Sequence, residues 1–389
     1  MTCYRAKRWF YSTAVQLRAV GGQTTHVVEV CRVLAQRRPT TLFAPNPPAT
    51  PIPGLPVCVV PLPPHPPREV LFQARLFRTI VALSKVYRPD VLYHRAASFN
   101  LGIVLAGRVL GVPCVMELNG LPAMEYALER AETGPLTWAR TRFYRVVERI
   151  EHRLADGLVV VTPNLADIVR RNGARQVHVT RNGVDPAAFV PCDRLEARRS
   201  LGLPPDAEVV GYVGTFSAWQ GLDTLIEGAR LLLAQRPALV VLLVGDGPEL
   251  PRLQRLAEPM GAHVRFLGRV PHEQVCRTLS ACDVLAAPFP PIERNRRMGI
   301  SALKLGEYLA LGRPMLSSRL PGLEFIEEEQ VGALFDPGNP PALAVQLAAL
   351  LSLPPAQRDA IDRRARTLAE TTFSWAQIVE DLVGFVENL

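Results

Sequence analysis

The chain has 389 residues, 48% apolar and 21% charged, which is too apolar for a disordered segment and more than the roughly 250–300 residues a single core usually holds. No apolar run reaches the ~20 residues of a membrane-spanning helix, and the longest candidate, 101–116, is broken by Arg108. The net charge of +8 is unevenly shared: residues 1–190 hold 24 Lys and Arg against 12 Asp and Glu, residues 191–389 hold 20 against 24. A basic first half fits an anionic partner, either a phosphate-bearing acceptor or an anionic membrane face met peripherally. Compositional bias explains the excess equally well, since 41 of the 44 basic residues are Arg. No basic run interleaved with aromatics occurs, so nucleic acid is not an expected partner. The seven cysteines are scattered and never spaced C-x-x-C, which predicts reduced thiols, not a disulfide framework or a zinc site. The first residues, Met1 to Arg5, carry no apolar stretch of signal-peptide type, and a cytoplasmic protein is expected.

Strand-like and helix-like segments alternate along the chain. Strands are predicted at 8–14, 40–44, 90–95, 113–118, 158–162 and 176–180, with helical periodicity at 22–34, 69–88, 100–110 and 123–155. Residues 45–67 contain 11 prolines and read as a stiff surface loop. The second half predicts strands at 209–216, 239–245, 264–267, 284–288, 314–317 and 332–335, each followed by a helix. Near-continuous apolar strands such as 239–244 require cover on both faces. This alternation predicts an α/β protein of two doubly wound parallel sheets, with ligands at the carboxyl ends of the strands and the cleft between domains as the default active site. The expected domains are 1–187, 188–370 and a terminal helix 371–389 returning to the first. Neither half carries G-x-G-x-x-G after its first strand, and no Walker A run occurs, which argues against hydride transfer and P-loop hydrolysis.

Six stretches recur in a familiar order: Arg181-Asn182-Gly183-Val184-Asp185, Gly211-Tyr212-Val213-Gly214-Thr215-Phe216 with Trp219-Gln220-Gly221, Val244-Gly245-Asp246-Gly247-Pro248, Phe266-Leu267-Gly268-Arg269-Val270, Ala302–Ala310, and Gly312-Arg313-Pro314. In that order they resemble the retaining nucleotide-sugar glycosyltransferases of family 4. The first half is similar more loosely, through Gly21-Gly22, Asp90–Tyr93 and Glu117-Leu118-Asn119-Gly120, and Phe373-Ser374-Trp375 resembles the family's crossover helix. The resemblance implies the GT-B fold of two facing Rossmann-like domains, the first on the acceptor side and the second on the donor side. It also implies transfer of a sugar from a UDP- or GDP-sugar to an acceptor hydroxyl, in envelope glycan, glycolipid or glycosylated-metabolite synthesis.

The helix expected at 302–311 presents its amino end, with Gly299, Ile300, Ser301 and Leu303, to a diphosphate. Glu307 stands one turn after Lys304; by resemblance it accepts hydrogen bonds from the donor ribose, and the alternative is a surface Glu–Lys pair. Lys304 is one of only three lysines and is the candidate diphosphate contact. Gly214, Thr215, Gln220, Asp246 and Arg269 complete the expected donor side, with Gly21 and Gly22 allowing close backbone approach to phosphate.

The chain departs from the pattern where the family commonly carries the first of two glutamates, here Gly299, and at the turn that often carries a basic pair, here Thr215 and Gln220. A carboxylate nucleophile at 299 is thereby ruled out, and diphosphate neutralisation falls on Lys304, on backbone amides, or on Arg294, Arg296 and Arg297. In the first half, Glu117 is expected to face the cleft with Arg95 or the acceptor as partner, and Asn119, where the family often has His, can bond a sugar hydroxyl. Together with Lys304 these form the expected catalytic set. His26 and His94 read as structural. Arg75, Arg78 and Arg88 belong to the basic acceptor side. No cofactor or metal is expected. A catalytically inactive GT-B binding or assembly subunit is the competing reading, motivated by Gly299, Thr215, Gln220 and Asn119.

Overall fold

The structure, a computed structural model, describes residues 6–19, 21–129 and 135–389. Contacts divide the chain into two units, one running to Arg181 and including Trp375–Leu389, the other Asn182–Ser374. The sequence reading placed these divisions at 187/188 and 370/371. Residue 184 sides with the second unit because Val184 N donates to Phe373 O at 2.8 Å and pairs in parallel with Ser374.

The first unit is a seven-stranded parallel sheet made of β1 (Trp9–Thr13), β2 (Thr40–Ala44), β3 (Val57–Val59), β4 (Val91–Arg95), β5 (Cys114–Leu118), β6 (Gly157–Val160) and β7 (Val177–Val179), in the order β3-β2-β1-β4-β5-β6-β7. β3 corrects the reading of 45–67 as loop throughout. Val57-Cys58-Val59 is a proline-free apolar triplet, and it pairs with β2 at the sheet edge, where flanking prolines cost no ladder bonds. The predicted 123–155 helix is two helices, Pro122–Glu129 and Pro135–Leu154; residues 130–134 lie outside the described set. β1 is buried on both faces, with Trp9, Phe10 and Tyr11 wholly inside. The terminal helix Trp375–Glu387 packs on Gly22–Arg37, held by Arg38–Glu387 and Arg37–Glu380 ion pairs.

The second unit is a six-stranded parallel sheet made of β8 (Glu208–Val213), β9 (Leu239–Val244), β10 (Val264–Gly268), β11 (Val284–Ala287), β12 (Met315–Ser318) and β13 (Gly332–Phe335), in the order β10-β9-β8-β11-β12-β13. Its unbroken apolar strands serve two cores at once. On β9, Val240, Leu242 and Val244 enter one cluster and Leu239, Val241 and Leu243 the other, as the two-residue side-chain period dictates. Burying each such side chain is worth about 1.5–3 kcal/mol, so the sheet is fixed from both faces. In each unit the strand order reverses beside the first strand, at β1/β4 and at β8/β11, which directs ligands to those carboxyl ends.

No described helix is long and apolar enough to cross a membrane. The six described cysteines are free.

Candidate active site

In the second unit the expected donor residues gather at the carboxyl ends of β8, β9 and β10 and at the start of the Leu303–Ala310 helix. The strand ladder continues past the strand ends through glycines: Gly214 N donates to Val244 O at 3.0 Å and Gly245 N to Gly268 O at 2.8 Å. Gly245 has φ 130°, and a Cβ there would run into the Gly214 carbonyl. Phe216 N then donates to Asp246 O at 2.9 Å, locking the turns after β8 and β9 together.

Against this floor lies Lys304, 8% exposed. Its ammonium donates to Gln220 Oε1 at 2.7 Å and sits 3.8 Å from the centre of the Tyr212 ring. A Cβ on Gly214 would stand 2.8 Å from the same nitrogen, so glycine leaves room for the lysine. The Glu–Lys surface pair that the sequence spacing allows does not form. Burial pushes the Lys304 ammonium well below its ordinary pKa, with only the field of Glu307 opposing. Glu307 itself is half-buried, and its carboxylate makes no hydrogen bond or ion pair with the described residues. Burial raises its carboxyl, while His272 and Lys304 pull it back.

The 299–302 loop is pinned rather than open. Ile300 N donates to Pro321 O at 2.8 Å, so that amide is already used within the protein. Asn182 N donates to Ser301 Oγ at 3.1 Å and its side-chain amide to Ser301 O at 2.7 Å. Gly299 sits at φ 75°, a backbone state that glycine accepts readily. Thr215 is exposed, and its carbonyl accepts from the Tyr212 hydroxyl at 3.1 Å. Asp246 caps Gly247 N at 2.7 Å and faces the exposed Arg269 at 3.5 Å. Arg294, Arg296 and Arg297 lie on a short helix, Glu293–Met298, and not on a loop; Arg297 pairs with Glu293 at 2.5 Å and Arg296 is exposed. Arg294 lies over the Trp219 ring, which in turn stacks on Phe289.

In the first unit Gly21 and Gly22 open the helix after β1, Glu117 stands near the carboxyl end of β5, and Asn119 follows that strand. Glu117 is only 2% exposed. Its Oε1 meets His26 Nε2 at 2.5 Å and Arg95 Nη1 at 2.9 Å, and its Oε2 accepts from the Tyr93 hydroxyl at 2.8 Å. Burial would raise this carboxyl, but His26, Arg95 and Tyr93 outweigh it and hold it at about 2. Both carboxylate oxygens are thus already engaged by protein partners, Arg95 among them as expected. Asn119, turned so that its oxygen meets the Arg95 guanidinium, donates to Glu117 Oε1 at 3.3 Å. His26, read as merely structural, thus ties the Gly22–Arg37 helix to β5, and its ring meets Trp375 edge-on. His94 bonds Ser12 Oγ at 2.8 Å and Asn100 Oδ1 at 3.1 Å, a structural histidine; burial lowers its pKa to about 4.

Sequence reasoning missed Tyr212 and Asn182 as site builders. Both stand inside quoted motifs, but what each supports appears only when residues some 90 to 120 positions apart meet. Among the described residues no group of three or more His, Cys, Asp or Glu could hold a metal ion.

Two family descriptions cover most of the chain: Glycosyltransferase Family 4 over residues 20–188 and Glycosyl transferases group 1 over residues 207–353. A D-inositol 3-phosphate glycosyltransferase of Stackebrandtia nassauensis is 28% identical across 94% of this chain and 86% of its own length. D-inositol 3-phosphate glycosyltransferase 1 of Catenulispora acidiphila is 31% identical across 76% of this chain and 71% of its own. HepE of Anabaena in complex with UDP-glucose superposes with a TM-score of 0.71 at 20% identity, covering 98% of this chain and all of that one, which speaks to the fold. The chain belongs to the family 4 glycosyltransferases of GT-B fold and is a sugar-transferring enzyme of hexosyltransferase type.

Proposed function

We propose that the chain moves a sugar from a nucleoside diphosphate sugar to a hydroxyl of an anionic acceptor, with retention of anomeric configuration. The observation that carries this reading is Lys304, a buried cation with a neutral amide and an aromatic ring as its contacts, placed at the strand ends where a diphosphate would lie. Such a group is costly in an empty site and favourable beside a phosphate. Glu307, without a protein partner, is assigned to the donor ribose. UDP is the first nucleotide to test, since HepE is described with UDP-glucose.

Gly299 leaves no carboxylate to act as nucleophile, so front-face substitution is the mechanism we favour. The bond from the anomeric carbon to the diphosphate oxygen breaks and the acceptor oxygen bonds to that carbon on the same face. The acceptor's proton passes to the departing diphosphate. Lys304 and the amino end of the Leu303–Ala310 helix hold the charge that develops. The basic first half supports an anionic acceptor, a phosphorylated polyol as in the names of the curated relatives, or a lipid-linked sugar met at a membrane face.

Titration calorimetry of the chain with UDP, GDP, ADP and TDP tests the reading. It expects one nucleotide to bind and Glu307→Ala to weaken that binding at least tenfold. No binding by any of the four overturns the donor assignment and favours the inactive-subunit reading.

A further inference from the structure

The Pro135–Leu154 helix has a buried side and a broad outer side. Inward lie Thr141, Val147, Glu148, Glu151 and His152. Outward, Phe143, Val146 and Ile150 stand at i, i+3 and i+7, the spacing of one helical stripe, and Phe143 is 56% exposed. Trp138, 66% exposed, lies one turn before Arg142, whose guanidinium covers its ring at 5.6 Å. Arg142, Arg145, Arg149 and Arg153 are all exposed along the same outer side. Both acids of the described 138–154 stretch, Glu148 and Glu151, point inward, where they accept from Ala123 N and Asn100 N. The outer face therefore carries apolar side chains and positive charge without an exposed carboxylate.

The neighbouring Leu101–Leu110 helix extends the patch. Arg108 donates to Leu154 O at 2.8 Å, joining that helix to the end of the first. Beside Arg108, Leu105 is exposed and Val109 is 63% exposed.

We propose that this outer face docks the protein onto an anionic lipid bilayer. Scattered single apolar residues on a surface need no explanation, but an ordered helical stripe with arginines along its flank does. Apolar side chains at the level of the acyl boundary, with arginines reaching lipid phosphates, is the arrangement by which an amphipathic helix lies in an interface. Arginine heads snorkel to phosphate while their stems cover apolar surface. Along the described 138–154 stretch no carboxylate points outward, and Asp156 just beyond it is paired with Arg108 at 4.0 Å, which favours a negatively charged bilayer over a neutral one and over a second copy of this basic unit. The inference deepens the membrane side of the function proposed above, yet it rests on surface chemistry and needs no nucleotide.

The test is sedimentation of the full chain with vesicles of phosphatidylcholine alone and of phosphatidylcholine with phosphatidylglycerol. Binding is expected only to the second, and it should weaken as salt is raised. The pair Arg142→Glu and Arg149→Glu should lower partitioning at least about tenfold, since each basic residue near an anionic surface is worth roughly a fivefold factor. The pair Phe143→Ser and Ile150→Ser should lower it comparably and leave a residue of binding that vanishes in salt. Reversing Arg255 and Arg363, exposed in the second unit, should change nothing. Circular dichroism and UDP calorimetry on each variant separate a lost surface from a lost fold or donor site. The proposal is overturned by failure to bind anionic vesicles, by equal loss in the Arg255 and Arg363 control, or by gel filtration showing that the Phe143 and Ile150 pair dissociates an oligomer of the native chain.

Discussion

Lys304 donates to Gln220 at 2.7 Å, and that neutral amide is its one hydrogen-bond acceptor among the described residues. Position 220 holds an amide, and the cation beside it comes from the Leu303–Ala310 helix. A buried, unbalanced cation costs stability, and the cost is largest at low pH. It declines as pH rises through the depressed pKa toward the ordinary 10.5. Lys304→Met should therefore raise the melting temperature by a few degrees, equivalent to about 1–2 kcal/mol, with the gain shrinking in alkaline buffer. The same variant should bind UDP about ten- to a hundredfold more weakly, the worth of a charge-assisted bond of ~1.5–3 kcal/mol. Calorimetry and thermal melts on one sample read both effects. A variant that loses stability while keeping its UDP affinity would contradict the assignment.

Glu117 carries the opposite sign. Its carboxyl, held at about 2 against an ordinary 4.5, adds stability that is fully present above pH 4.5 and is lost as pH falls through 2. Glu117→Gln leaves Arg95 and His26 without their shared anion inside the protein, at a cost of about 3–5 kcal/mol near neutral pH. Urea melts from pH 7 down to pH 3 should show the gap between wild type and variant closing in the acid range. A gap that stays constant would mean that the carboxylate is not held by its cations.

The alternation of strand and helix was legible because parallel sheets covered on both faces demand unbroken apolar strands; 239–244 matches β9. The motif glycines were legible for a steric reason: at Gly245 and Gly214 any side chain meets backbone or the lysine. β3 was hidden by the prolines around it, since edge pairing needs only three residues and tolerates them. The Glu117–His26 contact could not be read from one sequence. It depends on the β1-β4-β5 neighbour order, which brings together residues 91 positions apart. Likewise, the 3.6-residue period of 135–154 shows an amphipathic helix but does not say that part of its apolar content faces outward.

Glu148 offers a third pH effect, contrary in direction to those of Lys304 and Glu117. It is buried against Ala123 N at 2.7 Å, and burial raises its carboxyl to about 7. The folded chain then holds this proton more tightly than the unfolded one, so its contribution to stability falls as pH climbs from 4.5 through 7. Glu148→Gln keeps an acceptor for Ala123 and removes the charge. It should match wild type near pH 5 and exceed it at pH 8 by about 1–3 kcal/mol, visible as a higher melting temperature. An equal or lower melting temperature at pH 8 would show that the carboxylate is stabilised by more than burial allows.

Asn182 fastens the loop that leads into the Leu303–Ala310 helix, through bonds from its amide to Ser301 O and Oγ. Asn182→Ala deletes both side-chain bonds and keeps the backbone bond from residue 182 to Ser301 Oγ. The fold should lose only about 1–2 kcal/mol. Donor binding should suffer more than that stability loss suggests, because the amino end of the helix must be held within about half an ångström to meet a diphosphate. UDP affinity is expected to drop about five- to tenfold with its binding entropy less favourable, as a looser loop is ordered on binding. Ser301→Ala is the control: it removes the hydroxyl yet keeps the 2.7 Å bond from Asn182 to Ser301 O, and should fall between the two. If Asn182→Ala binds UDP as wild type does, the bond from Ile300 N to Pro321 O is enough to hold the loop, and Asn182 serves the fold alone.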